Sequence, residues 1–204
     1  MKEATVTSVS SNELITLART QIKFDTTGSD IEKNVIDEFK NLSKDQIKTR
    51  LKETAFPYAV LFENWIGDFN LSTGIRNANA FNASEIFYIG RKRFDKRGAV
   101  GTYNYKDVTF IENENQLLEL KKKYTFIGID NIPGSLSMRT FNWPENTLMI
   151  FGEEGKGLSS FMQNLCENTV YIEQFGSVRS INCGTASGIT MVDFLNKYRK
   201  LNFQ

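Results

Sequence analysis

Thr147-Leu148-Met149-Ile150-Phe151-Gly152-Glu153-Glu154-Gly155-Lys156-Gly157-Leu158-Ser159 is the stretch that decides the fold. Its first five residues show no apolar–polar alternation, which fits a strand buried on both faces. Glycines 152, 155 and 157 follow, and Ser159 then opens a short helix over 159–165. Glycines at a strand end let backbone groups approach a ligand closely. In an open α/β sheet, ligands sit at the carboxyl ends of strands. The run is not a phosphate-binding Walker loop, because Lys156 is followed by Gly157 and not by a hydroxyl residue. Nor is it the dinucleotide fingerprint, because it lies far from the first strand. Taken alone, it reads equally well as an ordinary tight strand-to-helix turn.

Working outward, short apolar runs alternate with helical patterns. Strands are expected at 58–62, 86–89, 125–129 and 169–172, and helices at 71–81, 116–123 and 183–200. The last helix carries Ile189, Val192, Phe194 and Leu195 on its apolar side. This order predicts an α/β fold with a mainly parallel sheet. Residues 1–53 differ in texture. Ser10-Ser11-Asn12-Glu13-Leu14 resembles a helix start, and Ile31, Val35, Ile36 and Phe39 recur at helical spacing, as do Leu42, Ile47 and Leu51. Ser43, with Asp45 and Gln46 behind it, predicts a capped helix. The division is therefore a small N-terminal helical extension, 1–53, and an α/β domain, 54–204. The extension suits either a packing or dimer element, or a substrate-docking element.

Composition narrows the chemistry. The 204 residues include no histidine, which removes imidazole bases, Ser-His-Asp triads and most zinc sites. A chain of this length buries roughly 70% of the surface its unfolded form exposes, so it needs no staples. Net charge is +1, so any RNA contact must come from local patches. Cys166 and Cys183 lack metal-ligand spacing and read as thiols in a reducing compartment. With no apolar leader at the N-terminus and no run long enough to span a bilayer, a cytoplasmic protein without a membrane or metal partner is expected. The dense basic cluster is Arg91, Lys92, Arg93, Lys96 and Arg97. It reads either as a solvated loop or as an RNA-phosphate contact with Phe94 or Tyr103 free to stack on bases.

Two further turns follow strands. Asn70-Leu71-Ser72-Thr73-Gly74-Ile75-Arg76 places Asn70 at a helix cap and Arg76 within the first two turns. An arginine there presents a planar donor fork suited to phosphate, although an isolated helical arginine is commonly just a surface residue. Gln174-Phe175-Gly176-Ser177-Val178-Arg179-Ser180-Ile181-Asn182 leads into the last helix, whose Gly184, Ala186 and Gly188 form a face able to pack closely.

Together, in this order, the three turns resemble the three signature motifs of the SpoU (TrmH-type) RNA ribose methyltransferases of the SPOUT superfamily. Asn70, Arg76 and Ala80-Phe81 match the first motif. Gly152, Glu154, Gly155, Gly157 and Leu158 match the second. Ser180, Ile181, Asn182 and Ala186 match the third. The match runs from about residue 56 to 200. One departure is Glu173, where the family often has proline. The resemblance implies a sheet whose C-terminal part is threaded into a trefoil knot, an exception to unknotted topology. It implies a homodimer and S-adenosylmethionine as cofactor. It places that cofactor against Ile129, Gly152, Glu153, Glu154, Gly157, Ile172, Gln174, Ser180, Ile181, Asn182 and Ala186. It gives the catalytic roles to Arg76, Asn70, Ser180 and Asn182. The implied reaction is RNA 2′-O-methylation, of a tRNA D-loop guanosine first and of ribosomal RNA second. A non-catalytic RNA-binding knotted dimer is the third reading, against which the intact motif residues argue.

Overall fold

Strand β1 (Phe56–Asn64) is buried from Tyr58 onward, including its last two polar residues, Glu63 and Asn64. It lies inside a seven-stranded sheet together with β2 (Ala83–Gly90), β3 (Val108–Ile111), β4 (Thr125–Ile129), β5 (Leu136–Ser137), β6 (Thr147–Phe151) and β7 (Asn168–Tyr171). The computed structural model describes residues 34–202 apart from 65, 67 and 68, without the side chains of 200–202. Strand order is β3-β2-β1-β6-β4-β7-β5, and every pairing is parallel. The parallel sheet expected from the alternating runs is therefore observed.

Alternate residues of the strands feed two cores. Tyr58, Val60, Phe62, Ile86 and Tyr88 pack with Leu71, Ile75 and Ala78 of α2 (Asn70–Ala80) and with Met191 and Phe194 of α5 (Cys183–Asn202). Ala59, Leu61 and Phe87 pack on the other face with Leu117 of α3 (Glu114–Lys123) and Met162 of α4 (Ser160–Leu165). Helices thus cover both faces, as a parallel sheet requires.

Asn34–Gln204 form one compact unit. Helix α1 (Lys44–Glu53), read in the sequence as part of the extension, lies in that unit. It begins with the expected capping box: Gln46 N donates to Ser43 Oγ at 3.2 Å, and Ser43 N to Gln46 Oε1 at 2.8 Å. Ile47 is its buried residue. The helix expected over Ile31–Phe39 is, within the described part, only a 3-10 turn at Asp37–Phe39, and Ile36 is exposed. The earlier helix start at Ser10 lies outside the described residues.

Three further corrections concern elements. Strand β3 was absent from the sequence reading. Only Ile111 of its four residues is fully buried, so it carries little apolar signal. Strand β5 is a two-residue edge with Leu136 exposed. In α5, Ile189 and Val192 are half exposed while Met191 and Phe194 are buried. The helix is thus apolar on two sides, and Ile189 and Val192 lie on the outer one.

Candidate functional site

Strands β6, β4 and β7 are neighbours in the sheet, and the loops leaving their carboxyl ends line a cleft of about 260 Å³. The cleft brings together Ile129, Gly152, Glu153, Glu154, Gly157, Ile172, Gln174, Ser180, Ile181, Asn182 and Ala186, each singled out from the sequence. Asp130, Asn131, Ile132, Lys156, Arg179 and Cys183 also line it.

The loop after β6 is folded tightly on itself. Gly157 N donates to the Glu153 carbonyl at 3.0 Å. A Cβ on Gly152 would stand 2.1 Å from the Gly157 carbonyl carbon, so no side chain fits there. Gly157 has φ +72°, and a Cβ on it would stand 2.3 Å from Asp130 Oδ2. That same oxygen accepts from Leu158 N at 2.8 Å, tying the loop after β6 to the loop after β4. Asp130 Oδ1 accepts from Asn131 N at 2.7 Å. The loop then enters α4, where Ser159 Oγ accepts from Met162 N at 3.2 Å as an N-cap. Ser159 N in turn donates to Glu63 Oε2 at 2.8 Å. Glu63, given no role by the sequence reading, is a buried acceptor spanning from β1 to α4. An acid at the end of a buried strand was the available signal.

The three motifs meet at a hydrogen-bonded triangle. Asn70 Nδ2 donates to Glu154 Oε2 at 2.7 Å. Asn182 Nδ2 donates to Asn70 Oδ1 at 2.7 Å and to Glu154 Oε2 at 3.2 Å. Asn182 Oδ1 accepts from Thr185 N at 3.1 Å, which caps the start of α5. Asn70 itself is not the cap expected. Phe69 holds the N-cap position without a side-chain bond, and Asn70 is the first helical residue. Its amide is buried and committed to the triangle instead. About two turns further along, Asn77 Nδ2 donates to the Gly184 carbonyl at 2.8 Å and to Ser187 Oγ at 3.0 Å. A Cβ on Gly184 would stand 2.8 Å from Thr73 Cγ2. The small-residue face of α5 is therefore the face that meets α2.

Arg76 is exposed on α2 and does not line the cleft. Ser180 is exposed at its rim. The basic segment is a built loop packed on the start of α2, where the Ser72 hydroxyl donates to the Asp95 carbonyl and the Arg97 guanidinium lies over the Phe69 ring at 5.1 Å. Arg97 also pairs with Asp95 at 2.6 Å, and this hydrogen bonding holds the Asp95 carboxyl below the usual range. Arg91, Lys92, Arg93, Lys96 and Arg97 are exposed. Phe94 is not free to stack on a base, because it packs edge-on against Tyr88 at 5.5 Å and joins the core. Tyr103 is likewise packed on the core, with the Lys96 ammonium over its ring at 5.1 Å. Among the described residues, Phe175 in the loop beyond β7 stands 91% exposed.

Glu173 shows what the missing proline does. Its carboxyl accepts from Ser137 Oγ at 2.7 Å and from Arg139 Nε at 3.1 Å. The Ser137 bond, with Arg139 behind it, lowers its pKa. A charged anchor to the β5 edge thus holds the start of the third loop.

Residues 57–192 match the family model for the SpoU rRNA Methylase family. The 23S rRNA (guanosine-2′-O-)-methyltransferase RlmB of Coxiella burnetii is 22% identical over 191 residues, covering 89% of this chain and 76% of that protein. The Aquifex aeolicus TrmH/SpoU tRNA modifying enzyme superposes with a TM-score of 0.67 at 18% identity, covering 78% of this chain and 85% of that one. The SpoU methyltransferase AviRb from Streptomyces viridochromogenes, in complex with AdoMet, superposes with a TM-score of 0.62 at 21% identity. That match covers 72% of this chain and 58% of AviRb.

Proposed function

The chain belongs to the SpoU rRNA methylase family, and from that premise we propose that it is an S-adenosylmethionine-dependent RNA ribose 2′-O-methyltransferase. The observation that carries this reading is the meeting of the second and third motif loops in one cleft, with the first motif tied to both by the Asn70–Glu154–Asn182 triangle.

The cleft suits the cofactor. Gly152 and Gly157 leave backbone where side chains would clash. Glu153 Oε2 and Gln174 Oε1 are buried acceptors without a hydrogen-bond partner among the described residues, so a ligand rich in donors fits them. S-adenosylmethionine, when bound, supplies an electrophilic methyl on its sulfonium. The residues proposed to hold it are those of the cleft already named, and AviRb, of the same fold, was solved with AdoMet.

The chain's own part is alignment. The loops fix the methyl donor, and the protein must then hold the ribose hydroxyl in line with it. Arg76 projects from the helix that Asn70 pins to the cleft. A guanidinium offers donors and no acceptor, so Arg76 serves by fixing phosphate and polarising the 2′-oxygen, and not by removing the proton. Ser180 at the rim is a second phosphate donor. Arg91, Lys92, Arg93, Lys96 and Arg97 extend the phosphate contact along the RNA.

The substrate we propose is tRNA, at a D-loop guanosine; the A. aeolicus relative is a tRNA modifying enzyme. Ribosomal RNA is the second reading, favoured by the Coxiella relative that aligns with 89% of this chain. The active unit is proposed to be a knotted homodimer in the cytoplasm. Exposed Ile189 and Val192 on α5 support a second copy, and two cysteines that form no disulfide suit a reducing compartment. Among the described residues, no helix is long and apolar enough to cross a membrane.

Arg76→Ala tests the assignment. Turnover is expected to fall on the order of a hundredfold or more, as when a transition-state donor is lost, while cofactor affinity stays within about threefold, because only the former interaction is removed. Near-normal turnover would exclude Arg76 from the chemistry.

A further inference from the structure

Glu153 is an unusual residue to find in a tight glycine loop. Its side chain is 4% exposed, and it lines the cleft. Its Oε1 faces the exposed Lys156 ammonium at 3.6 Å. Its Oε2 is buried with no hydrogen-bond partner among the described residues. A buried acceptor left unmade is costly, so such atoms are normally satisfied by something. Gln174 Oε1 is in the same condition across the cleft. The strands these residues follow, β6 and β7, flank β4, so their ends lie two strand spacings apart, roughly 10 Å. Both orphans are acceptors. The ligand must therefore bring donors, and at two separate points.

We propose that Glu153 accepts hydrogen bonds from the ribose diol of the bound nucleoside, so that a side chain, and not backbone alone, recognises the sugar. This rests on the S-adenosylmethionine reading of the cleft. A vicinal diol offers two neutral O–H donors that match the two oxygens of one carboxyl group. A ligand ammonium fits less well, because Lys156 already places a cation on Oε1 and a second would be repelled by it. Carboxyl groups on ribose hydroxyls are a recurring solution in nucleotide-binding α/β sheets. Gln174 Oε1 then meets a second donor of the same ligand.

The test is calorimetric titration with S-adenosylhomocysteine and with its 2′,3′-dideoxy form, each against wild type, Glu153→Ala and Glu153→Gln. The wild type should bind the ribose form roughly tenfold to a hundredfold more tightly, as expected for hydrogen bonds to a carboxyl group. Glu153→Ala should bind both forms about equally, and Glu153→Gln should show a reduced preference. The glutamine variant keeps the shape and decides the question if the alanine variant does not fold. An undiminished ribose preference in the variants, or no preference in the wild type, would overturn the role of Glu153 while leaving the cofactor site standing. A wild type that binds neither compound would overturn the cofactor reading and this proposal with it.

Discussion

Lys106 shows how far burial can move a single side chain. It is 6% exposed, its ammonium donates to the Ala83 carbonyl, and burial pushes its pKa down to about 8. An unfolded lysine titrates near ~10.4. Between those values the unfolded chain holds more protons than the folded one, so this residue's contribution makes stability rise with pH across that window. The unfolding free energy of the wild type should therefore climb from pH 8 to 10 relative to Lys106→Met. Parallel pH profiles for the two proteins would contradict this. Cys166 moves the other way. Burial pushes its thiol up to about 12, so it holds almost no thiolate at neutral pH and is no nucleophile. With no histidine in the chain either, the proposed chemistry rests on alignment and on Arg76.

At the scale of elements, the site depends on how closely α5 approaches α2. A Cβ on Gly184 would press on Thr73 Cβ and Cγ2 at 2.9 and 2.8 Å. Gly184→Ala should cost about 1–3 kcal/mol by overpacking, and Thr73→Ser, which removes the Cγ2 methyl, should recover part of it. A double-mutant cycle in urea checks this, and additive effects would refute the contact. The strands of the sheet centre were legible in the sequence because they are continuous apolar runs: β4 and β6 begin and end where the runs do. Strands β3 and β5 were not, because they are short edges that bury little. The glycine loop and the capped helices were legible for local reasons of backbone freedom and side-chain oxygens. What stayed hidden was long-range. The Asp130 bond to Leu158 spans 28 residues, the Glu63 bond to Ser159 spans 96, and the Asn77 bond to Gly184 spans 107. No local pattern encodes such pairings. Asn70 reads from the sequence as a cap, because cap preference is local and its triangle with Glu154 and Asn182 is not.

For the whole molecule, the sheet order explains why the second and third motifs share one cleft. Insertion of β6 between β1 and β4, with β7 beyond β4, sets the ends of β6, β4 and β7 side by side. The return of α5 onto α2 then brings the first and third motifs together. At a net charge of +1, the proposed RNA attraction falls to the basic loop, which is fixed to the start of the same helix that carries Arg76. The most direct measurement is methyl transfer itself. The protein is incubated with tritium-labelled S-adenosylmethionine and unmodified tRNA or ribosomal RNA, and the labelled RNA is digested to nucleosides. The account predicts label in 2′-O-methylguanosine, from tRNA first, and its loss in Arg76→Ala. Label confined to base-methylated nucleosides, or no transfer to either RNA by a protein that binds the cofactor, would contradict it.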